Sequence, residues 1–191
     1  MQKVTSYSEY EVTKIGFKFE GEDAYVSVAC VGSSEEEMEQ KAIKKKCRGV
    51  ETTVAVKGTG KGTVKVSLHI PIAVYDNFYG MKLDSLIDGV TAYGRNSRHK
   101  RFAMVQEVED ENGILKNKAY PSCIVETGKK SKVENGGEEV AEIEIEIAVA
   151  PDEFGNGVYE AIPDNLDEEG KAKIADWMTA FTPEMVQLEQ A

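Results

Sequence analysis

Between Ala141 and Val149 the odd positions read Ala, Ile, Ile, Ile and Val, while the even positions include Glu142, Glu144 and Glu146. A period of two is that of a β-strand, so this stretch predicts a strand with one apolar face and one carboxylate face. Side chains two residues apart on one face lie roughly 7 Å apart, so the glutamates repel unless water or lysines screen them. Two uses fit. The face is solvated, with lysines such as Lys116 and Lys118 across from it, or it is a wall that repels a polyanion.

The same patterns organise the rest of the chain. Residues 1–12 are polar and read as an N-terminal arm. "AYVSVACVG" (24–32) reads as a buried strand ending at Gly32. In 33–49 a serine precedes three glutamates, lysines crowd the end, and Gly49 follows. Those charges suit a helix macrodipole, and the lack of apolar residues allows a loop instead, so 33–49 is expected to be a charged helix or loop. Residues 50–58 and 62–72 predict two strands joined by the turn "GTGKG", and 73–81 a short helix stopping near Gly80. Strands are expected at 89–94 and 100–110, with "DENG" turning the chain into a return strand over 114–127. Pro121 places an edge or a bulge in that strand. Residues 128–137 read as a polar loop. Over 164–191 a helical segment is expected, capped by Asp164 or Asp167, with Ile174, Trp177, Met178 and Phe181 on one face. The fold class is therefore mainly β, a sandwich or barrel with one or two short flanking helices, in a single domain over 1–191.

Charge narrows the functions. Acidic residues outnumber basic ones by 34 to 23, a net charge of −11, which disfavours a nucleic-acid binder. No apolar run approaches 18 residues and no leader pattern opens the chain, so neither a membrane span nor a signal peptide is expected. Cys30, Cys47 and Cys123 are widely spaced and odd in number, and read as reduced, mostly buried thiols. His69 and His99 are the only histidines. No cluster has metal-ligand spacing, "GTGKGT" lacks the full phosphate-loop spacing, and "PDEFGNG" does not place oxygens at calcium-loop positions. Neither catalysis nor a cofactor is expected.

The cluster "RNSRHKR" is the strongest local charge feature. Arg95, Arg98, Lys100 and Arg101 read either as a solvated loop or as a contact with an acidic patch on another copy. Lys44, Lys45 and Lys46 could act in the same way against the glutamates at 35–37, within one chain or between neighbours. Head-to-tail complementarity of that kind builds rings and stacks.

Four blocks in order, "GTVKVSLHIPIAVYDNFYGM", "GVTAYGRNSRHKRFAMVQEVEDENG", "KAYPSCIVETG" and "NGGEEVAEIEIEIAVAPDEFGNGVYEA", resemble the major tail proteins of long-tailed phages and prophages of Gram-positive bacteria. The resemblance spans about residues 55–163, with a further match at "WMTAFTPEMV". It implies a tail-tube β-sandwich or barrel with a flanking helix, six copies to a ring and rings stacked into a tube in the virion tail. Its implied partners are further copies, the tape measure protein, the tail terminator and distal tail proteins, and passing DNA held without specific binding. On that resemblance Glu142, Glu144 and Glu146, with Glu107 and Glu109, become candidates for a channel wall that repels phosphates within a Debye length of about 8–10 Å. The tube of a contractile particle or secretion needle would share these features. A monomeric β-sandwich binding module for carbohydrate or a cell surface is the alternative, and would usually expose aromatic side chains on one face.

Overall fold

The computed structural model describes residues 3–131, 133, 135–136 and 141–188. Its strands are β1 (Glu9–Phe19), β2 (Val26–Val28), β3 (Val31–Cys47), β4 (Val50–Leu68), β5 (Phe102–Asp110), β6 (Leu115–Val125), β7 (Ile143–Val149) and β8 (Tyr159–Ala161). The helices are α1 (Ile72–Tyr79), α2 (Glu168–Lys173) and α3 (Trp177–Ala180). The chain is mainly β. All pairings are antiparallel, in the order β2-β1-β5-β6-β7-β4-β3, with β8 added beside β6. Only Ala29 and Cys30 separate β2 from β3, yet β2 pairs with β1 and β3 with β4. One bent strand thus joins both ends of the path, and the sheet closes as a barrel. Among the described residues the outer edges of β2 and β3 have no ladder partner, so closure rests on the bend between them.

Alternation along each strand fills the interior. Ile15, Phe17 and Phe19 on β1, Val64, Val66 and Leu68 on β4, and Ile145, Ile147 and Val149 on β7 are all buried. Helix α1 plugs one end. The Phe78 ring meets Phe17, Phe19 and Phe102 edge-on at centroid distances of 5.0, 5.3 and 4.9 Å. Gly80 then ends α1 in the left-handed region, at φ 57°.

The outer face of β5 and β6 carries a second, smaller core. Val105 and Ala119 are covered by Ile174, Trp177 and Phe181 from the C-terminal segment. Trp177 Nε1 donates to the Lys118 carbonyl at 3.1 Å, and Asp167 caps α2 by accepting from Gly170 N at 2.8 Å. Residues 3–8 lie against the barrel, with Val4 exchanging two hydrogen bonds with the Asn165 side chain.

Several elements depart from the sequence pattern. Residues 33–47 form a strand and neither a helix nor a loop, because Ser34, Glu36 and Met38 pair along β4 and the segment lacks the apolar stripe a helix would bury. "GTGKG" is not a turn: β4 runs through it with a register irregularity opposite Met38 and Gln40. The turn lies at Arg48 and Gly49, with φ of 50° and 83°, the geometry of a two-residue hairpin. Residues 89–94 form no strand, and 9–12 belong to β1. In 24–32 only Val26–Val28 pairs as a separate strand, and Val26 is exposed. Cys30 is an exposed free thiol, contrary to expectation, and Cys123 a buried one. Of the predicted loop over 128–137, residues 132, 134 and 137 lie outside the described residues, as do Glu138, Glu139 and Val140 ahead of the ladder.

Candidate functional site

Glu144 and Glu146 stand on the outer face of β7, where no helix covers them. In register, Glu146 opposes Lys65 and Glu144 opposes Ser67 on β4. From the other side β3 sets Glu35 opposite Lys65 and Glu37 opposite Thr63. Glu142, just before β7, accepts from Ser67 Oγ at 2.5 Å and packs against the Gly32 backbone, where any side chain would collide with it. Five carboxylates therefore share a face whose own strands contribute one lysine, Lys65. Lys130 overhangs from a loop to complete a shallow cleft with Ser33, Glu35, Lys65, Ser67, Glu144 and Glu146.

Lys116 and Lys118 do not serve this face. They lie at the barrel end opposite α1, where Lys118 Nζ reaches Glu9 at 2.8 Å, Glu160 at 3.3 Å and Glu36 at 3.5 Å. Lys116 meets Glu9 at 3.1 Å and Glu160 at 3.6 Å. Tyr120 donates its hydroxyl to Glu36. Burial works against the charge on Lys118, but its bond to Glu9 and the fields of Glu36 and Glu160 prevail and raise its pKa. Burial likewise pulls Glu9 upward, while hydrogen bonds from Lys118 and Lys116 hold its carboxyl below the usual range. The sequence signal for this network was weak, since its members come from four separate strands, β1, β3, β6 and β8.

Glu107 and Glu109 are not brought together with the β7 glutamates. Strand β6 intervenes, and β6 meets β7 only at Cys123–Val125, while Leu115–Ala119 faces β5 and β8. Glu107 is neutralised: it pairs with Lys14 at 3.0 Å, accepts from Thr13 Oγ1 at 2.7 Å, and its side chain is only 16% exposed. Glu109 sits near the β5–β6 turn, opposite Glu11.

The basic loop caps the α1 end of the barrel. Arg95, Arg98, Lys100 and Arg101 are exposed, and among the described residues none of them pairs with a carboxylate. The backbone beneath them is fixed. His99 Nδ1 donates to the Val125 carbonyl at 2.7 Å, which leaves Nε2 to accept from Tyr93 at 3.2 Å, and Lys100 Nζ donates to Asn77 at 3.0 Å. At the other end of the barrel, the β5–β6 turn carries Glu109, Asp110 and Glu111, with Asp110 receiving Asn112 N and Ile114 N at 2.8 Å each.

Lys44, Lys45 and Lys46 lie elsewhere again. From residue 39 to 58, β3 and β4 pair only with each other and leave the barrel as a ribbon. Lys44 pairs with Glu51 at 2.6 Å on this ribbon.

Among the described residues no three His, Cys, Asp or Glu side chains cluster to hold a metal ion, and no helix is long and apolar enough to cross a membrane. Asp152 in "PDEFGNG" spends its oxygens on Phe154 N, Asn156 N and Tyr159 Oη, at 2.9, 2.9 and 2.6 Å, as a turn does. The most exposed aromatics, Tyr10, Tyr93 and Phe154, stand on separate segments and form no binding platform.

No protein-family model matches the chain, and no curated protein does. Similar solved structures include the anti-feeding prophage cap, described as a tube-terminating cap, with TM-score 0.47 and 9% identity over 85% of this chain and 96% of that one. A 6-fold symmetrised anti-feeding prophage baseplate matches with TM-score 0.45 and 10% identity, over 83% and 97% of the two chains.

Proposed function

We propose that this chain is a structural subunit of a phage-type tail tube, in which six copies form a ring and stacked rings enclose a channel for the tape measure protein and later the genome. The observation that carries it is the carboxylate face of β3, β4 and β7, where Lys65 can offset only part of the charge of Glu35, Glu37, Glu142, Glu144 and Glu146, and folding gains nothing from the carboxylates left over. A channel wall does gain, because fixed negative charge keeps DNA phosphates from adhering. Glu142, Glu144 and Glu146 are assigned to that wall, joined by Glu35 and Glu37, while Glu107, bound to Lys14, contributes little.

Further support comes from the two ends of the barrel. The α1 end presents Arg95, Arg98, Lys100 and Arg101, and the opposite end presents Glu109 and Glu111. Surfaces of opposite sign at opposite ends stack head to tail. No chemistry is required of such a subunit, and the sequence blocks that resemble major tail proteins fall on the barrel and its α1 end. The tail terminator and distal tail proteins would then meet the last rings.

Negative-stain electron microscopy of the concentrated chain, with mass photometry on the same sample, tests the proposal. Six-fold rings or hollow tubes are the expected result. A monomer at every concentration, with binding to glycans or cell surfaces, would replace it with the binding-module alternative.

A further inference from the structure

The sequence holds three Asn–Gly pairs, Asn112–Gly113, Asn135–Gly136 and Asn156–Gly157. In such a pair the glycine nitrogen can attack the side-chain carbonyl carbon of the asparagine, because the glycine has no Cβ to obstruct the approach and its backbone turns freely. The fold treats the three pairs differently.

Asn112–Gly113 is tied at both reacting groups. It lies in the β5–β6 turn, where Gly113 N donates to the Asp110 carbonyl at 3.1 Å. Asn112 N donates to Asp110 Oδ1 at 2.8 Å, and Asn112 Nδ2 to Asp110 Oδ2 at 3.4 Å. Nitrogen and carbon can meet there only after those bonds break. Asn156–Gly157 is held by packing as well. Asn156 N and Nδ2 are spent on Asp152 and Tyr159, at 2.9 and 3.0 Å. Gly157 is buried, and a Cβ there would overlap the Gly60 carbonyl, so its backbone is wedged against β4. Asn135–Gly136 differs on each count. It lies in the connection between β6 and β7, and both residues are exposed. No atom comes within 4 Å of where a Gly136 Cβ would stand. Among the described residues nothing hydrogen-bonds the Asn135 side chain or Gly136 N.

We infer that Asn135 is a site of spontaneous deamidation, modified by water alone, and that the fold protects Asn112 and Asn156 from the same reaction. The Gly136 nitrogen gives its proton to hydroxide and bonds to Asn135 Cγ. The Cγ–Nδ2 bond then breaks, and Nδ2 leaves as ammonia with a proton taken from water. Water opens the resulting cyclic imide at either carbonyl carbon, leaving aspartate or, with the main chain rerouted through Cγ, isoaspartate. The net change is amide plus water to carboxylic acid plus ammonia, with nothing oxidised or reduced. The chain becomes one unit more negative than its −11. The new carboxylate stands on the same connection as Lys130, the lysine that overhangs the carboxylate face. Such a change needs no assembly and occurs whether or not the chain forms a tube.

The test incubates the full chain in mildly alkaline water enriched in heavy oxygen, folded and, in parallel, unfolded in guanidinium. Digestion at acid pH and peptide mass spectrometry read the label at each pair, and isoaspartyl methyltransferase counts isoaspartate. In the folded chain Asn135 should label at least about tenfold faster than Asn112 or Asn156. Its rate should rise with pH, because the attacking nitrogen must lose a proton. In guanidinium the three should label within roughly threefold of one another, since only folded contacts set them apart. Asn135→Gln, whose longer side chain would have to close a larger ring, should abolish the label there and the acidic species on isoelectric focusing. Labelling of folded Asn112 or Asn156 as fast as Asn135 would overturn the inference, as would a folded Asn135 that stays unlabelled. So would a tenfold spread that persists in guanidinium, because the differences would then belong to neighbouring sequence and not to the fold.

Discussion

Lys118 Nζ lies 2.8 Å from the Glu9 carboxylate, and that pair fastens the start of β1 to the middle of β6. Glu9 has its carboxyl held low when folded, so its contribution to stability is present above its unfolded pKa of about 4.3 and is lost as pH falls through the lower folded value. Lys118 has its pKa raised, so its contribution is full below about 10.5 and is lost as pH climbs through the higher folded value. Between those limits Lys118→Met should cost roughly 1–2 kcal/mol, less than a fully buried pair, because Glu9 and Glu160 are 45% and 41% exposed. Urea unfolding of both proteins across pH checks this. The gap between them should narrow below about pH 4.

Replacing Glu144 and Glu146 with lysine should leave folding nearly unchanged, within about 0.5 kcal/mol, since both sit on a solvated face. With Lys65 already between them and β3, the face would lose its excess negative charge, three lysines then standing against Glu35, Glu37 and Glu142. Tubes should still form, and genome release through them should slow. The check is assembly by electron microscopy together with the kinetics of DNA ejection. Ejection at the normal rate from such tubes would move the channel wall to another face.

That face was legible in the sequence at Ile143–Val149, where the period of two is unbroken and one side is apolar. The partner glutamates at 35–37 were not. They read as the first turn of a helix, because serine followed by acids and then lysines satisfies every local helix-end rule. What decides the matter is tertiary: β4 offers a full ladder of backbone partners, and the segment has too few apolar residues to hold a helix on the barrel. The strand over 50–58 was legible, but its continuity into the next strand was obscured for a related reason. Three glycines in "GTGKG" announce a turn, yet Gly58 and Gly62 pair across to Gln40 and Met38, and the chain continues as one strand through a bulge. Glycine at Gly60 is instead needed for close approach, since a side chain there would press on Gly155 and Pro151. The Lys118 network was beyond reading, because charge partners 82 and 109 residues away from Lys118 leave no spacing to detect.

Reversing charge in the basic loop, Arg98→Glu with Arg101→Glu, should impair stacking far more than folding. Neither residue pairs with a carboxylate within the described chain, so thermal stability should change by about 0.5 kcal/mol at most. Ring stacking is then read by electron microscopy or light scattering as a function of salt. Normal tubes from this variant would show that the loop is solvated and makes no contact.

Gly80→Ala asks the same question without touching a charge. Gly80 adopts φ 57°, and a Cβ there would overlap the Arg98 carbonyl, so the basic loop rests on the bare end of α1. The substitution combines left-handed strain with that overlap and should cost about 1–3 kcal/mol. Moving the Arg98 backbone relieves the overlap, and that loosens the neighbouring bond from His99 to Val125. Stacking should therefore weaken although every arginine remains. Calorimetry measures the cost, and exchange of the amides over 95–101 reports the displacement. If the loop amides stay unchanged and stacking still fails, the failure comes from α1 itself. If the loop loosens and stacking holds, the arginines do not need their fixed positions to make the contact.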